Sequence, residues 1–463
     1  MSDVATASVR QAVPTGLSQQ TRRLLDGPVT PTLLRLAAPN VLVMVLQAAV
    51  STLDAVFVGW LGSDALAGVS LVFPLVMLMQ TMSAGGMGGG VAAAIARALG
   101  AGRRADAHAL VAHAALISLA MAASFTTTLL LLGPRLYRAM GGSGPALEAA
   151  IAYSNVVFAG AVAYWLLNIL GAVVRGTGNM ALPAGVMVTA AFIYIALSPA
   201  LILGWGPFPR LGIAGAGAAS VTAFGLGALA LLTFLLSGRS LVTLTLRGLR
   251  LRRALFWEIL RVGAPGSLNT VLTNLTVVLL TGLVGPFGAA ALAGYGMGAR
   301  LEYLLIPLVF GLGSGLVTMV GTSVGAGQRA RAERIAWVGA GLAAGLTGSI
   351  GLCAAIFPGA WLGLFSRDPD VLAAGTRYLT IVGPFYGFFG LGLALYFASQ
   401  GAGRLAWPLI AGFTRLLIAA LGGWLAINQF GAGLSGLFVA IALALIVFGA
   451  TVATAVKAGA WRS

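Results

Sequence analysis

Asp54 is the residue in this chain whose type and position most directly indicate chemistry. It is the one acid in residues 33–62, a run long enough to cross a bilayer, which takes about 20 apolar residues. Asp54 follows Arg35 by 19 residues, which is about 29 Å along a helix. If Arg35 marks the inner surface, Asp54 lies in the outer half of the bilayer. A lone carboxylate that water reaches poorly can exchange a proton near neutral pH. We therefore predict an ion-coupling site at Asp54; the alternative is a solvated, inert acid at the outer mouth of the helix.

Three further charged residues fall within apolar runs: Arg300, Glu302 and Arg415. A charge that faces lipid costs several kcal/mol, so each of them is expected to face protein or water. Arg300 and Glu302 are two residues apart and point to different faces of a helix, so they need not pair with each other. The sequence allows either a structural ion pair that involves Arg415 or a second coupling site.

The composition identifies the solvent of these charges as partly lipid. The chain has 463 residues, of which 59% are hydrophobic and 8% charged, whereas a soluble protein carries roughly 25% charge. The net charge of +16 does not indicate nucleic-acid binding, because the basic residues form short clusters between apolar runs. A single cysteine, Cys353, excludes an internal disulfide, and the five-residue spacing of His108 and His113 is not that of a helical metal pair. We expect no metal and no cofactor.

Apolar runs predict an all-α integral membrane protein with twelve transmembrane helices. The predicted spans are 33–60, 67–97, 107–133, 148–173, 181–204, 212–236, 260–284, 289–323, 332–357, 371–399, 405–428 and 434–456. Twenty Lys and Arg residues fall at connections on one side and five on the other. The basic side is expected to be cytoplasmic, which places both termini inside a cell (inner or plasma) membrane.

The sequence repeats itself after about half its length. Ala38-Pro39 returns 226 residues later as Ala264-Pro265, Tyr153 returns 225 residues later as Tyr378, and the position of Asp54 is taken by Leu280. Six spans in each copy predict a parallel repeat, with two pseudo-symmetric six-helix bundles facing each other across a cleft that alternates its exposure. The predicted domains are a disordered cytoplasmic tail (1–32), an N-terminal lobe (33–236), a basic linker (237–259), a C-terminal lobe (260–456) and a short tail (457–463).

The linker between the two halves has two possible structures. Leu251, Leu255 and Ile259 are spaced by four, with arginines between them. This spacing suits a short helix on the inner membrane surface. The alternative is a plain charged linker.

Several motifs resemble the multidrug and toxic compound extrusion (MATE) family. They are the APN…D…VGWLG segment of the first span, the GAG turns at 100–102 and 325–327, the R-G-x-G turn at 175–178 and the AR-x-E segment at 299–302. The resemblance covers about 33–456 and is greatest to the DinF-like branch, which keeps an acid at the position of Asp54. It implies export of organic, often cationic, drug-like compounds in exchange for protons or sodium, by a protein that is not an enzyme. We expect a monomer in contact with membrane lipid.

One departure from that family bears on the coupling ion. Relatives of the branch often carry an N-x-x-x-D-P segment in the fifth span, where this chain has Tyr194 at the Asn position and Ser198 at the Asp position. Hydroxyls are then the possible partners of a single carboxylate, which favours protons over sodium. Sodium coupling, or a flippase for lipid or polysaccharide precursors, are the alternatives. Candidate cavity residues are Gln47, Gln80, Asn155, Asn168, Asn269 and Asn274.

Overall fold

The computed structural model describes residues 17–245 and 250–461, and the regular structure there is helical. The α-helices are α1 Gln19–Asp26, α2 Val29–Gly59, α3 Ser63–Thr81, α4 Gly88–Gly100, α5 Arg104–Ala139, α6 Gly144–Ala159, α7 Ala161–Gly176, α8 Ala181–Leu203, α9 Ile213–Leu236, α10 Arg253–Val284, α11 Ala289–Gly325, α12 Arg329–Ile356, α13 Pro358–Leu362, α14 Pro369–Val382, α15 Tyr386–Ala402, α16 Ala406–Leu417, α17 Gly423–Asn428 and α18 Gly433–Lys457. Short π-helical turns, Met82–Met87 and Ile418–Gly422, join α3 to α4 and α16 to α17.

These helices confirm the predicted membrane architecture. Within the described residues, eleven helical segments are long and apolar enough to cross a membrane, or twelve when the pair α6 and α7, bent by 46°, counts as one span. The bend lies at Gly160, where the side chain of Val221 packs so closely that a Cβ would overlap it. The observed ends lie within a few residues of most predicted ones.

The two halves of the chain form two lobes, α2 to α9 and α10 to α18, and α4 lies between them. Every residue of α4 is buried. Its sequence, GGGVAAAIARALG, consists mainly of small residues, which allow neighbouring helices to approach closely. The close crossing of α4 and α11 obeys the repeat: a Cβ at Gly100 would overlap the carbonyl of Thr322, and one at Gly325 would overlap the carbonyl of Arg97.

Hydrogen bonds between the lobes lie toward the ends that carry the arginine clusters. The buried guanidinium of Arg97 donates to the carbonyl of Gly401 over 3.0 Å. Asn40 donates to the hydroxyl of Ser314 over 2.7 Å. The lobes are thus joined on the predicted cytoplasmic side, whereas Asp54 lies fourteen residues farther along α2 from Asn40.

The prediction of a disordered tail over 1–32 was wrong for the part that the structure describes. Residues 19–26 form α1, with Leu24 and Leu25 buried. Arg331 of the other lobe donates to the carbonyls of Leu24 (3.1 Å) and Gly27 (2.5 Å). The low hydropathy of this segment was a poor guide, because two leucines and backbone carbonyls suffice to dock one short helix. Residues 1–16 lie outside the described part of the chain.

The predicted linker is shorter than expected, because α10 begins at Arg253. Leu255 and Ile259 are buried against the lobes, so their spacing marks the first turns of a membrane helix and not a surface helix. The extended segment before it is held by the two histidines. The backbone N–H of Thr243 donates to His108 (2.9 Å), and that of Arg252 donates to His113 (3.0 Å).

Candidate functional site

Asp54 lies near the end of α2, where α2 packs against α8 of the same lobe. The hydroxyl of Tyr194 on α8 donates a hydrogen bond to Oδ1 of Asp54. None of the ion pairs among the described residues includes Asp54. The carboxylate is therefore held by a neutral donor, without a countercharge in its first contacts.

Other hydroxyl groups surround this pair, and together we call them the Asp54 chamber. Tyr153 and Tyr164 are buried and lie close enough for the charge of Asp54 to act on their hydroxyls. Tyr164 in turn donates to the hydroxyl of Ser220 over 2.8 Å. The hydroxyl of Ser198, one turn beyond Tyr194, is buried and has no hydrogen-bond partner among the described residues. The chamber thus contains one charge and several groups that can donate or accept hydrogen bonds.

The second lobe contains a chamber of different charge. Arg415 on α16 donates from Nη2 to Oε1 of Glu302 on α11 over 2.7 Å, with side chains 17% and 15% exposed. Tyr378 approaches the other carboxylate oxygen at 3.4 Å. The guanidinium carbon lies 5.1 Å from the ring centre of Phe389 and 5.7 Å from that of Phe448, which are cation–π distances.

This pair borders a cavity in the second lobe, which we call the Glu302 chamber. Together with its open mouth it holds about 510 Å³ of space between atoms. The lining includes Thr273, Thr276, Leu280, Tyr295, Glu302, Tyr303, Tyr378 and Arg415. Leu280 is the residue that the repeat aligns with Asp54, so the two chambers occupy equivalent places in the two lobes.

The structure brings together only two of the three charged residues that the sequence singled out in the second half. Arg300 is exposed and lies over the ring of Phe365, with 5.6 Å from its guanidinium carbon to the ring centre. It therefore lies apart from the Glu302–Arg415 pair. Its position two residues from Glu302 turns it to another face of α11, as the sequence spacing indicated.

Most of the predicted amide residues make helix-internal or helix–helix contacts. Asn168 donates to the hydroxyl of Ser83 (3.0 Å) and to the carbonyl of Tyr164 (3.1 Å). Asn274 donates to the carbonyl of Thr270 one turn earlier. The remaining ones have varied surroundings: Asn155 is exposed, Gln47 and Gln80 are half-buried, and Asn269 lies beside Gly412.

Sequence reasoning missed the tyrosines as members of the two chambers. Tyr153 and Tyr378 were noticed as one pair of the repeat, and each lies beside its lobe's acid. Tyr164 and Phe389 are a second such pair, 225 residues apart, and both line the same places. Aromatic residues at equivalent positions of the two copies were the signal that could have found them.

A family model described as MatE matches the chain in two segments, residues 39–200 and 265–425, one in each lobe. The chain is 30% identical over 442 residues to the "Probable multidrug resistance protein NorM" of Deinococcus radiodurans, covering 90% of this chain and 92% of that protein. It is 27% identical over 440 residues to the "FAD transporter" of Shewanella oneidensis, covering 92% and 94%.

The fold is similar to those of solved transporters. A structure titled as the outward-facing conformation of a multidrug resistance MATE family transporter of the MOP superfamily matches with a TM-score of 0.86 and 25% identity, covering 96% of this chain and 99% of that one. A MOP superfamily transporter from Pyrococcus furiosus, whose title describes a binding pocket of reverse polarity, matches with a TM-score of 0.88 and 24% identity over the same shares.

Proposed function

Because the chain belongs to the MatE family of multi-pass membrane transporters, we propose that it exports organic, mainly cationic compounds in exchange for protons, with Asp54 as the coupling acid. The observation that carries this proposal is the hydrogen bond from Tyr194 to an Asp54 that has no ion-pair partner among the described residues. A carboxylate in such a place can bind either a proton or an organic cation, and binding of one competes with the other.

Alternating access connects this competition to transport. With the lobes joined on the basic side, the Asp54 chamber faces the opposite, outer side. A proton that enters from there neutralises Asp54 and displaces a bound cation to the outside. The neutral acid then allows the lobes to reopen inward, where proton release restores the charge that attracts the next cation. Duplicated transporters achieve such exchange by rocking one bundle against the other.

The surroundings of Asp54 favour a proton over sodium. Sodium prefers several oxygen ligands with compensating negative charge, whereas Asp54 is the one acid that the structure places in this chamber, and the hydroxyl of Tyr194 spends its proton on the carboxylate. The flippase alternative requires basic residues that hold a pyrophosphate, and Arg415, the arginine that lines the Glu302 chamber, is already paired with Glu302.

The test is dye efflux from inside-out vesicles that contain the purified protein, with a pH gradient and a sodium gradient imposed separately. We expect accumulation of a cationic dye to follow the pH gradient and to fall by about a hundredfold in Asp54→Asn. The matched control is Asp64→Asn, which removes an exposed acid at the start of α3 and should leave the rate unchanged. Uptake driven by sodium alone, or an Asp54→Asn protein that exports at the wild-type rate, would contradict proton coupling at Asp54.

The cargo is tested in the same vesicles. The Shewanella oneidensis relative is named an FAD transporter, and FAD carries negative charge where our proposal requires positive charge. Vesicles that accumulate FAD but no cationic dye would overturn the proposal on the cargo.

A further inference from the structure

We propose that the Glu302 chamber is a separate binding site for aromatic zwitterions, in which Arg415 takes the carboxylate of the ligand and Glu302 takes its ammonium group. This inference names a substrate class for a protein whose export function is itself proposed above, and it rests on that proposal only for the direction of transport. The binding step can be measured without transport.

The first argument is the charge balance of the chamber. Glu302 and Arg415 are joined over 2.7 Å and are both mostly buried. A ligand that carries only a positive charge could bind Glu302 only by leaving Arg415 without a partner, and an anion would do the reverse to Glu302. Leaving one buried charge unpaired is costly. A zwitterion can open the pair and supply a new partner to each charge, so the chamber favours ligands of zero net charge.

The second argument is the free capacity of the two groups. Arg415 has five N–H donors, and among the described residues its one hydrogen-bonding partner is Glu302. Its flat guanidinium is held by the rings of Phe389 and Phe448, which fixes its orientation. A guanidinium with free donors and a fixed plane is suited to a bidentate contact with a carboxylate.

The third argument is the wall of the chamber. Tyr295, Tyr303 and Tyr378 line the same cavity as the ion pair. The volume of about 510 Å³ lies within the range of about 300–1,000 Å³ that is typical of drug-sized sites. Aromatic walls around a few polar groups favour a flat ring system that carries its charges at its edge.

The fourth argument is that the other lobe cannot do the same. By the repeat, Val76 stands at the position of Glu302 and Ala190 at that of Arg415, and both are buried apolar residues. The Asp54 chamber therefore presents a lone acid where the Glu302 chamber presents a dipole. The two lobes are built to recognise ligands of different charge.

The test uses one fluoroquinolone in three forms, chosen because it is aromatic, fluorescent and zwitterionic at neutral pH. Its methyl ester carries only the positive charge, and its N-acetyl derivative carries only the negative charge. Fluorescence anisotropy with the purified full chain in detergent gives a Kd for each form. We expect the zwitterion to bind about tenfold more tightly than either derivative.

Variants of the pair should change the preference in a defined way. Arg415→Gln should make the ester the preferred ligand, and Glu302→Gln should make the N-acetyl acid the preferred ligand. The double variant Glu302→Gln/Arg415→Gln removes both charges without leaving one unpaired, so it should fold and should bind the three forms equally. Asp54→Asn changes the other chamber and should leave the preference for the zwitterion as in the wild type.

The results separate this inference from the proposed function. A preference for the zwitterion that survives in the double variant, or no binding of the zwitterion to the folded wild type, would overturn the inference and leave proton-coupled export of cations intact. A preference that is lost in the double variant supports it, even for a protein whose vesicles show no proton-driven efflux.

Discussion

The two chambers occupy equivalent places in a duplicated scaffold but hold their acids in opposite ways. In the first lobe, Asp54 is met by the hydroxyl of Tyr194 and by no cation among the described residues. In the second, Glu302 is neutralised by Arg415. An acid held by neutral donors remains free to exchange a proton or bind a cation, whereas an acid in an ion pair is committed unless a ligand opens the pair. Duplication thus supplied two similar cavities, and a few substitutions gave them different electrostatics.

The largest contrast is expected in stability when each acid is changed to its amide. Glu302→Gln leaves Arg415 mostly buried without a partner, which should cost about 2–3 kcal/mol, somewhat below the range for fully buried pairs because both side chains are partly exposed. Asp54→Asn removes a charge that has no cationic partner, so it should cost less than about 1 kcal/mol or even stabilise the fold. Thermal unfolding in detergent measures both.

The control for this pair of variants is Glu302→Gln/Arg415→Gln. It removes both charges, so its Tm should lie close to that of the wild type. If Asp54→Asn lowered the Tm as much as Glu302→Gln, Asp54 would have a cationic partner and the contrast between the chambers would be lost.

A smaller contrast is expected from the tyrosines that contact the two acids. Tyr194→Phe removes a hydrogen bond to a charged group, and we expect proton-driven efflux to slow by about tenfold. Tyr378→Phe removes a 3.4 Å contact to a carboxylate that keeps Arg415, so efflux should change by less than about twofold. Equal losses in the two variants would show that both chambers take part in coupling.

The smallest expected effect is a failure to rescue. Leu280 stands at the repeat position of Asp54, so Leu280→Asp in an Asp54→Asn background moves the acid from one chamber to the other. The new carboxylate can pair with Arg415, so efflux should stay within about twofold of Asp54→Asn alone. Leu280→Asn in the same background controls for the polar substitution. Restored proton-driven efflux would mean that the two places are interchangeable and that the contrast does not determine coupling.

Parts of this architecture were predictable because they depend on local composition. Apolar runs of sufficient length predict membrane helices, so the twelve spans were found with only small errors at their ends. The errors are larger where helices leave the membrane. Leu255 and Ile259 have the same spacing in a surface helix as in the buried first turns of α10, and hydropathy did not reveal the docked helix α1.

The sequence by itself determined the class of the protein, its duplication and the exceptional position of Asp54, since each follows from the order of residues along one segment or from a fixed offset between two segments. The tertiary structure alone decided the partners of the charges. Tyr194 lies 140 residues from Asp54 and Arg415 lies 113 residues from Glu302. Which residues meet at such separations depends on how each helix is rotated about its axis. A helix that is apolar on every face carries no amphipathic pattern that fixes this rotation, so it is set by the packing of small residues between helices.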